Sequence, residues 1–349
     1  MQKSSYVARQ KVVQKGIKMT LPNNKKLSII YTLKVLQDYS DEKHLLSQTE
    51  IANKINNIYG LECERKSIGA NIESLIDLGY DIIKSKSGCY LASRDLEISE
   101  VRFLIDAVFS SKAINGKYAR DLAKKLSQNL SVYERKQYNY LYKTEDVERA
   151  ENKQIFYNIE LLHNAIENNK QVSFIYNKYD VDGTLIPRRD RPFVINPYFM
   201  LNNMGNYYLV CNNDPFSDIA NFRIEDITDI KILDSNIKPV TTLKGFEKGF
   251  DIASYINDNI YMFGDRKITA KIKIRDDYMV NQAKKWFGKN IRIEKENNQY
   301  YGYLKNSESS IVYWSLQYGE SIEIIEPVET REKMKEIVKS LSNKYLDKP

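Results

Sequence analysis

Apolar residues recur at helical spacing from Leu27 to Leu130 and then, from Val172 onward, fall into short runs separated by turns. That change of period excludes one uniform architecture and joins a helical region to a sheet-rich one. Leu27, Ile30, Leu33 and Leu36 set a first helix that stops at Gln37-Asp38-Tyr39-Ser40. Ser47-Gln48-Thr49-Glu50 places a serine three residues before a glutamate, the capping-box spacing that satisfies two orphan amides, with Ile51, Ile55 and Ile58 as the buried stripe. Tyr59-Gly60 ends this helix. A third runs from about Arg65 to Leu78, with Ile68, Ile72, Leu75 and Ile76 on one face and Gly79 closing it. From Asp81 to Leu91 two short apolar runs flank a basic, glycine-containing turn, as a hairpin would. Three helices and a terminal hairpin over 26–92 match a winged helix-turn-helix. Residues 93–150 read as a helical linker, with Val101, Leu104, Ile105 and Val108 on one face, a further helix near Asp121 to Leu130, and a polar, Tyr-rich connection from Tyr133 to Arg149.

Over 151–240 a helix, Ile159 to Asn168, precedes strand-like runs at 172–176, 192–195, 207–211 and 227–233. Strands this short and this closely spaced point to a small barrel. Over 241–349 the order becomes strand (Ile268 to Ile274), helix (Tyr278 to Phe287), strands (Ile291 to Glu294 and Tyr300 to Leu304), helix (Ile311 to Gln317) and strand (Ile322 to Ile325). This βαββαβ series is the ferredoxin-like order, followed by a last helix from Thr330 to Tyr345. At 349 residues the chain exceeds what one core usually serves, so the expected class is a multidomain α+β protein.

Net charge is +7, and its distribution matters more than its size. Lys3, Arg9, Lys11, Lys15, Lys18, Lys25 and Lys26 carry all of it, in a stretch without Asp or Glu. The other 323 residues balance, 46 basic against 46 acidic. The arm at 1–25 therefore either attracts phosphate non-specifically or is a solvated tail. No stretch approaches the roughly 20 apolar residues that span a bilayer, and no secretory leader is recognised, so a cytoplasmic protein without membrane partners is expected. Cys63, Cys89 and Cys211 are odd in number and far apart, which argues against a disulfide framework or a metal knuckle.

The central segment resembles the WYL domain, whose Trp-Tyr-Leu motif stands here as Tyr207-Tyr208-Leu209, with Val194-Ile195-Asn196-Pro197-Tyr198 and Gly205 before it and Asn221-Phe222-Arg223-Ile224 and Ile227 after it. Trp314-Ser315-Leu316-Gln317-Tyr318-Gly319 and Glu326-Pro327 resemble the C-terminal WCX extension of such proteins. Glu64-Arg65-Lys66-Ser67-Ile68 and Leu75 to Ile82 resemble their winged helix. The resemblance covers about residues 26 to 345. It implies a bacterial transcription regulator, generally a homodimer, whose SH3-like or Sm-like barrel binds an effector, often nucleic acid; several relatives control DNA-damage or phage-defence genes. This chain departs from the pattern at Gly69, Ala70 and Asn71, where the recognition helix usually continues with Arg and Asp, and at Asp226, where a second Arg is common. The first departure means that the operator sequence does not carry over, and the second weakens the case for an anionic effector at that position.

In a helix-turn-helix the early residues of the second helix face base edges, which singles out Arg65, Lys66, Ser67, Gly69 and Asn71. Arg can chelate guanine, Asn can pair with adenine, and Lys66 suits a phosphate. Lys84 and Lys86 on the hairpin would meet the backbone of a double-stranded operator. For the effector the candidates are Tyr176, Tyr198, Phe222 and Arg223, with Asn196 and Asn221 as hydrogen-bonding neighbours and Arg191 in a basic loop beside them. Aromatic faces stack on bases and guanidinium clamps phosphate, so the set suits a single-stranded nucleic acid or a nucleotide. His44 and His163 have no partner at metal-ligand spacing, and no phosphate loop or nucleophile elbow occurs. No enzyme, cofactor, metal or catalytic residue is expected. The competing reading is an accessory protein of a defence complex that holds single strands without a specific operator.

Overall fold

The structure, a computed structural model, describes residues 25–136, 154–214 and 216–346. The basic arm, apart from the start of the first helical turn, and the Tyr-rich connection beyond 136 lie outside the described residues. The chain divides into two compact units, one of residues 1–110 and 115–149, the other of 111–114 and 150–349.

In the first unit, α1 (Ser28–Tyr39), α2 (Gln48–Tyr59) and α3 (Arg65–Asp77) pack together and are followed by a hairpin, β1 (Ile82–Ser85) and β2 (Gly88–Leu91). Ile30 and Ile58, expected on the packed stripes, are exposed, and Tyr31 and Val35 form the inward face of α1 instead. Val35, Leu36, Ile51, Ile55, Ile68, Ile72 and Leu75 form one core with Leu46, Cys89 and Leu91 of the hairpin side. The Ser47–Glu50 capping box is present. Cys89 and Leu46 exchange backbone hydrogen bonds at 2.9 Å, fixing the hairpin beside the start of α2. Gly88 makes this possible: at φ +148° it lies so close that a Cβ would stand 2.7 Å from the Leu46 carbonyl.

The described part of the expected linker is not a bare connector. It forms α4 (Ile98–Ser110), α5 (Gly116–Ser127) and the short α6 (Val132–Arg135), whose own core is Val101, Ile105, Ala123 and Leu130. It is also bonded to the end of α1. Ser131 Oγ donates to Asp41 Oδ2 at 2.9 Å, Arg94 Nη2 to the Ser40 carbonyl at 2.6 Å, and Arg135 pairs with Asp38. Such long-range partners leave no local periodicity.

In the second unit α7 (Ile155–Glu167) lies against a six-stranded antiparallel sheet made of β3 (Lys170–Tyr179), β4 (Leu185–Pro187), β5 (Phe193–Asn203), β6 (Asn206–Asn212), β7 (Ile219–Arg223) and β8 (Ile227–Asn236). The order is β4-β3-β5-β6-β7, with β8 also on β3. Where a small barrel is expected, the sheet is a curled half-barrel. Residues 240–262, including α8 (Ile252–Asn257), cover its other side, where Leu243, Tyr255 and Met262 share a core with Leu201, Tyr208 and Val210. The expected boundary near 240 thus runs through a common core.

A second sheet follows, from β9 (Lys267–Ile274), α9 (Asp277–Phe287), β10 (Ile291–Glu296), β11 (Gln299–Ser307), α10 (Glu308–Gln317) and β12 (Ile322–Glu326), with α11 (Val328–Tyr345) last. Its order is β10-β11-β9-β12, antiparallel throughout. Met279, Ala283 and Phe287 of α9 and Ile311, Val312 and Trp314 of α10 join Ala270, Ile272, Ile274 and Leu304 in one core, so both helices cover the same face.

Candidate functional site

The 3.6-residue period of α3 sorts its side chains cleanly. Ile68, Ile72 and Leu75 are buried, whereas Arg65, Lys66 and Ser67 at the N-terminus are exposed. Arg65 Nε donates to Gln48 Oε1 at 3.2 Å, and Lys66 has no ion pair among the described residues. Gly69 faces α2, where a Cβ would meet the Gln48 amide at 3.0 Å, so its small size serves helix packing. Asn71 is half-buried and donates to Ser28 Oγ and Thr32 Oγ1, both at 3.1 Å, which turns it toward α1 and away from a duplex. Lys84 is held by Glu73 at 2.7 Å, and Lys86 is exposed at the turn. Arg65, Gln48, Lys84 and Lys86 line one shallow cleft of about 180 Å³. Helix and hairpin therefore bring their cations together.

The half-barrel treats its candidates differently. Phe222 is 9% exposed and wedged among Phe174, Tyr176 and Phe193, with ring centroids 5.3, 4.8 and 5.1 Å away, so it offers no open face for stacking. Asn196 is fully buried; its Oδ1 accepts from Gln171 Nε2 and the Lys238 amide, and its Nδ2 donates to Asn212. The Tyr198 hydroxyl donates to the Lys238 carbonyl. Asn221 donates to the Met262 carbonyl and accepts from the Tyr255 hydroxyl. These four residues hold the fold together. Arg191 is exposed, and its carbonyl accepts from Arg189, whose guanidinium stacks 3.3 Å from the Phe193 ring.

Tyr176 and Arg223 remain, and they lie side by side. Burial and the neighbouring Asp226 carboxylate push the Tyr176 hydroxyl up to about 12, against a hydrogen bond from the Arg223 backbone and the charges of Arg223 and Arg188. Partial burial would lower Arg223, but a hydrogen bond to Tyr208 and the carboxylates of Glu225 and Asp226 outweigh it and raise the guanidinium above its ordinary value. Burial lifts the Glu225 carboxyl up to about 7, partly offset by backbone hydrogen bonds and reinforced by Asp226. The result is a polar rim of Tyr176, Arg188, Arg223 and Asp226 over a buried aromatic cluster. Sequence reading places Arg188 with Arg189 and Arg191 in a basic loop beside the barrel, and the structure brings it to the rim: its amide donates to the Tyr176 carbonyl at 2.8 Å across the β3–β4 hairpin.

Among the described residues no group of His, Cys, Asp and Glu could hold a metal ion, and no helix is long and apolar enough to cross a membrane. Residues 157–232 match the WYL domain. No curated protein matches the chain. Among solved structures it is similar to proteasome accessory factor B/C (PafBC) of Arthrobacter aurescens, at 12% identity and a TM-score of 0.30, covering 98% of this chain and 55% of that one. It is also similar to a CRISPR Cas-related protein, at 14% identity and a TM-score of 0.38, covering 98% and 91%. The chain spans about half the length of the PafBC structure.

Proposed function

From a WYL domain at residues 157–232 joined to a helical unit with an exposed basic helix start, we propose that this chain is a DNA-binding transcriptional regulator. The observation that carries the reading is the start of α3, where Arg65, Lys66 and Ser67 stand clear of the core that fixes the helix. In this reading residues 26–92 are a winged helix-turn-helix, α3 enters the major groove, Arg65 reads bases, and Lys66 and Lys86 hold phosphates. Asn71 and Gly69 position the helix. The protein acts as a homodimer on a partly palindromic operator and has no catalytic activity of its own.

The WYL domain senses an anionic, nucleotide-like effector at the Tyr176, Arg188 and Arg223 rim, and the last 109 residues form a ferredoxin-like WCX extension. Effector and operator are then linked by one coupling free energy, so each alters the affinity for the other equally. The test is sequencing of genomic fragments retained by the purified full chain. A single enriched, partly palindromic site is expected, whereas no enrichment would favour an accessory protein without an operator. For the effector, crosslinking of co-purifying nucleic acid should fall with Arg223→Ala or Arg188→Ala; unchanged recovery from both would remove the rim assignment.

A further inference from the structure

The face of the second sheet opposite α9 and α10 has a composition that core packing does not explain. On the two central strands the outward side chains are Lys267, Thr269, Lys271 and Lys273 of β9 and Tyr301, Tyr303 and Lys305 of β11, directly paired as Tyr301 with Lys273, Tyr303 with Lys271 and Lys305 with Thr269. Neither strand contains an Asp or Glu. Alternate residues Ala270, Ile272, Ile274, Gly302 and Leu304 point to the helices. Lys271 Nζ stands 4.5 Å from the Tyr301 ring centroid and 5.3 Å from that of Tyr303, and the Arg292 guanidinium of β10 is 4.6 Å from Tyr303. Acidic groups sit only on the outer strands, and two of the four are engaged: Glu294 pairs with Arg292 and Glu323 with Arg331, leaving Glu296 and Glu326 at the strand ends, where their charges reach Lys271. Lys267 is held by Asp258, but Lys271, Lys273 and Lys305 have no ion pair among the described residues.

We propose that this open face, through Tyr301 and Tyr303 flanked by Lys271, Lys273, Lys305 and Arg292, is a platform for single-stranded nucleic acid. It shares no residue with the α3 surface or the half-barrel rim, and does not depend on either. Two aromatic rings at i and i+2 on one strand accept successive bases, while ammonium groups on either side follow the phosphates. Tyr301 and Tyr303 are half-buried, and Lys271 is held by the Tyr303 hydroxyl as well as by the rings, so a phosphate that draws the ammonium away uncovers them. A second copy of the same face is a poor occupant, because an isologous contact would set these lysines against one another. Sequence specificity is not built in: the rings supply stacking, which every base can make.

The test is fluorescence anisotropy of the full chain with a labelled 15-mer of thymidine. Tyr301→Ala with Tyr303→Ala should weaken binding at least tenfold, whereas Tyr301→Phe with Tyr303→Phe, which keeps the rings, should stay within about threefold. Lys271→Gln with Lys273→Gln should reduce the slope of log affinity against log salt by roughly 1.4, at about 0.7 per phosphate contact on a single strand. Unchanged affinity in the alanine pair at an unchanged melting temperature would overturn the proposal, as would polyglutamate competing as well as the oligonucleotide. If the alanine pair unfolds, the lysine pair decides: an unaltered salt slope there is equally fatal. Loss of binding in Arg223→Ala alone, with the tyrosine and lysine pairs unaffected, would place the strand on the half-barrel instead.

Discussion

The start of α3 and strands β5 and β7 of the half-barrel both carry residues that sequence reading marks for binding, yet the fold uses them in opposite ways. On α3 the marked cations Arg65 and Lys66 are left outside the core, whereas on β5 and β7 Asn196, Tyr198, Asn221 and Phe222 are consumed by hydrogen bonds and ring packing. A helix with one buried stripe assigns inside and outside by its own period. A curled sheet covered by α7 on one side and by residues 240–262 on the other buries both faces, so alternation along a strand no longer says which side chains are available.

The contrast is sharpest for adjacent residues of β7. Phe222→Ala should remove about 3–5 kcal/mol of stability, since it empties the centre of a four-ring cluster, while Arg223→Ala should leave the melting temperature nearly unchanged. Similar melting curves for both would break the distinction between framework and rim. In the helical unit the equivalent framework position is Gly88. Gly88→Ala should cost roughly 2–3 kcal/mol, from a positive φ and a carbonyl already in contact, seen as an earlier thermal transition.

A smaller effect separates the rim from its surroundings through pH. Glu225 is pushed up to about 7 in the folded chain, above its unfolded value, so it holds a proton more tightly when folded. The stability this adds is complete below about 4.5 and is lost as pH rises toward 7. Glu225→Gln should flatten that slope and stabilise the protein at pH 8 by about 1–2 kcal/mol, read from denaturant midpoints at several pH values. A slope that survives the substitution would assign the pH dependence elsewhere.

Much of the fold is legible locally. The capping box at Ser47, the stripe of α3 and the βαββαβ order are all written within windows of a few residues, and the structure has these elements where periodicity places them, whereas the stripe of α1 is turned so that Tyr31 and Val35 are buried and Ile30 is exposed. What is not legible depends on partners far along the chain. Asn71 looks like a base reader until Ser28 and Thr32, about 40 residues earlier, take its amide. The segment after residue 93 looks like a linker until Ser131 and Arg135 reach back to Asp41 and Asp38. Tyr301 and Tyr303 pass as ordinary strand residues, and only the register with Lys271 and Lys273 shows them as one surface.

The most direct test is duplex binding by Arg65→Ala with Lys66→Ala, measured against wild type on the enriched genomic site over a range of salt. Folding should be unaffected, because both side chains lie outside the core. Affinity is expected to fall at least tenfold, with the salt slope smaller by about 0.9 for the lost Lys66 phosphate contact. Equal affinity and an equal slope in the double variant would contradict the assignment of α3 as the DNA-reading helix.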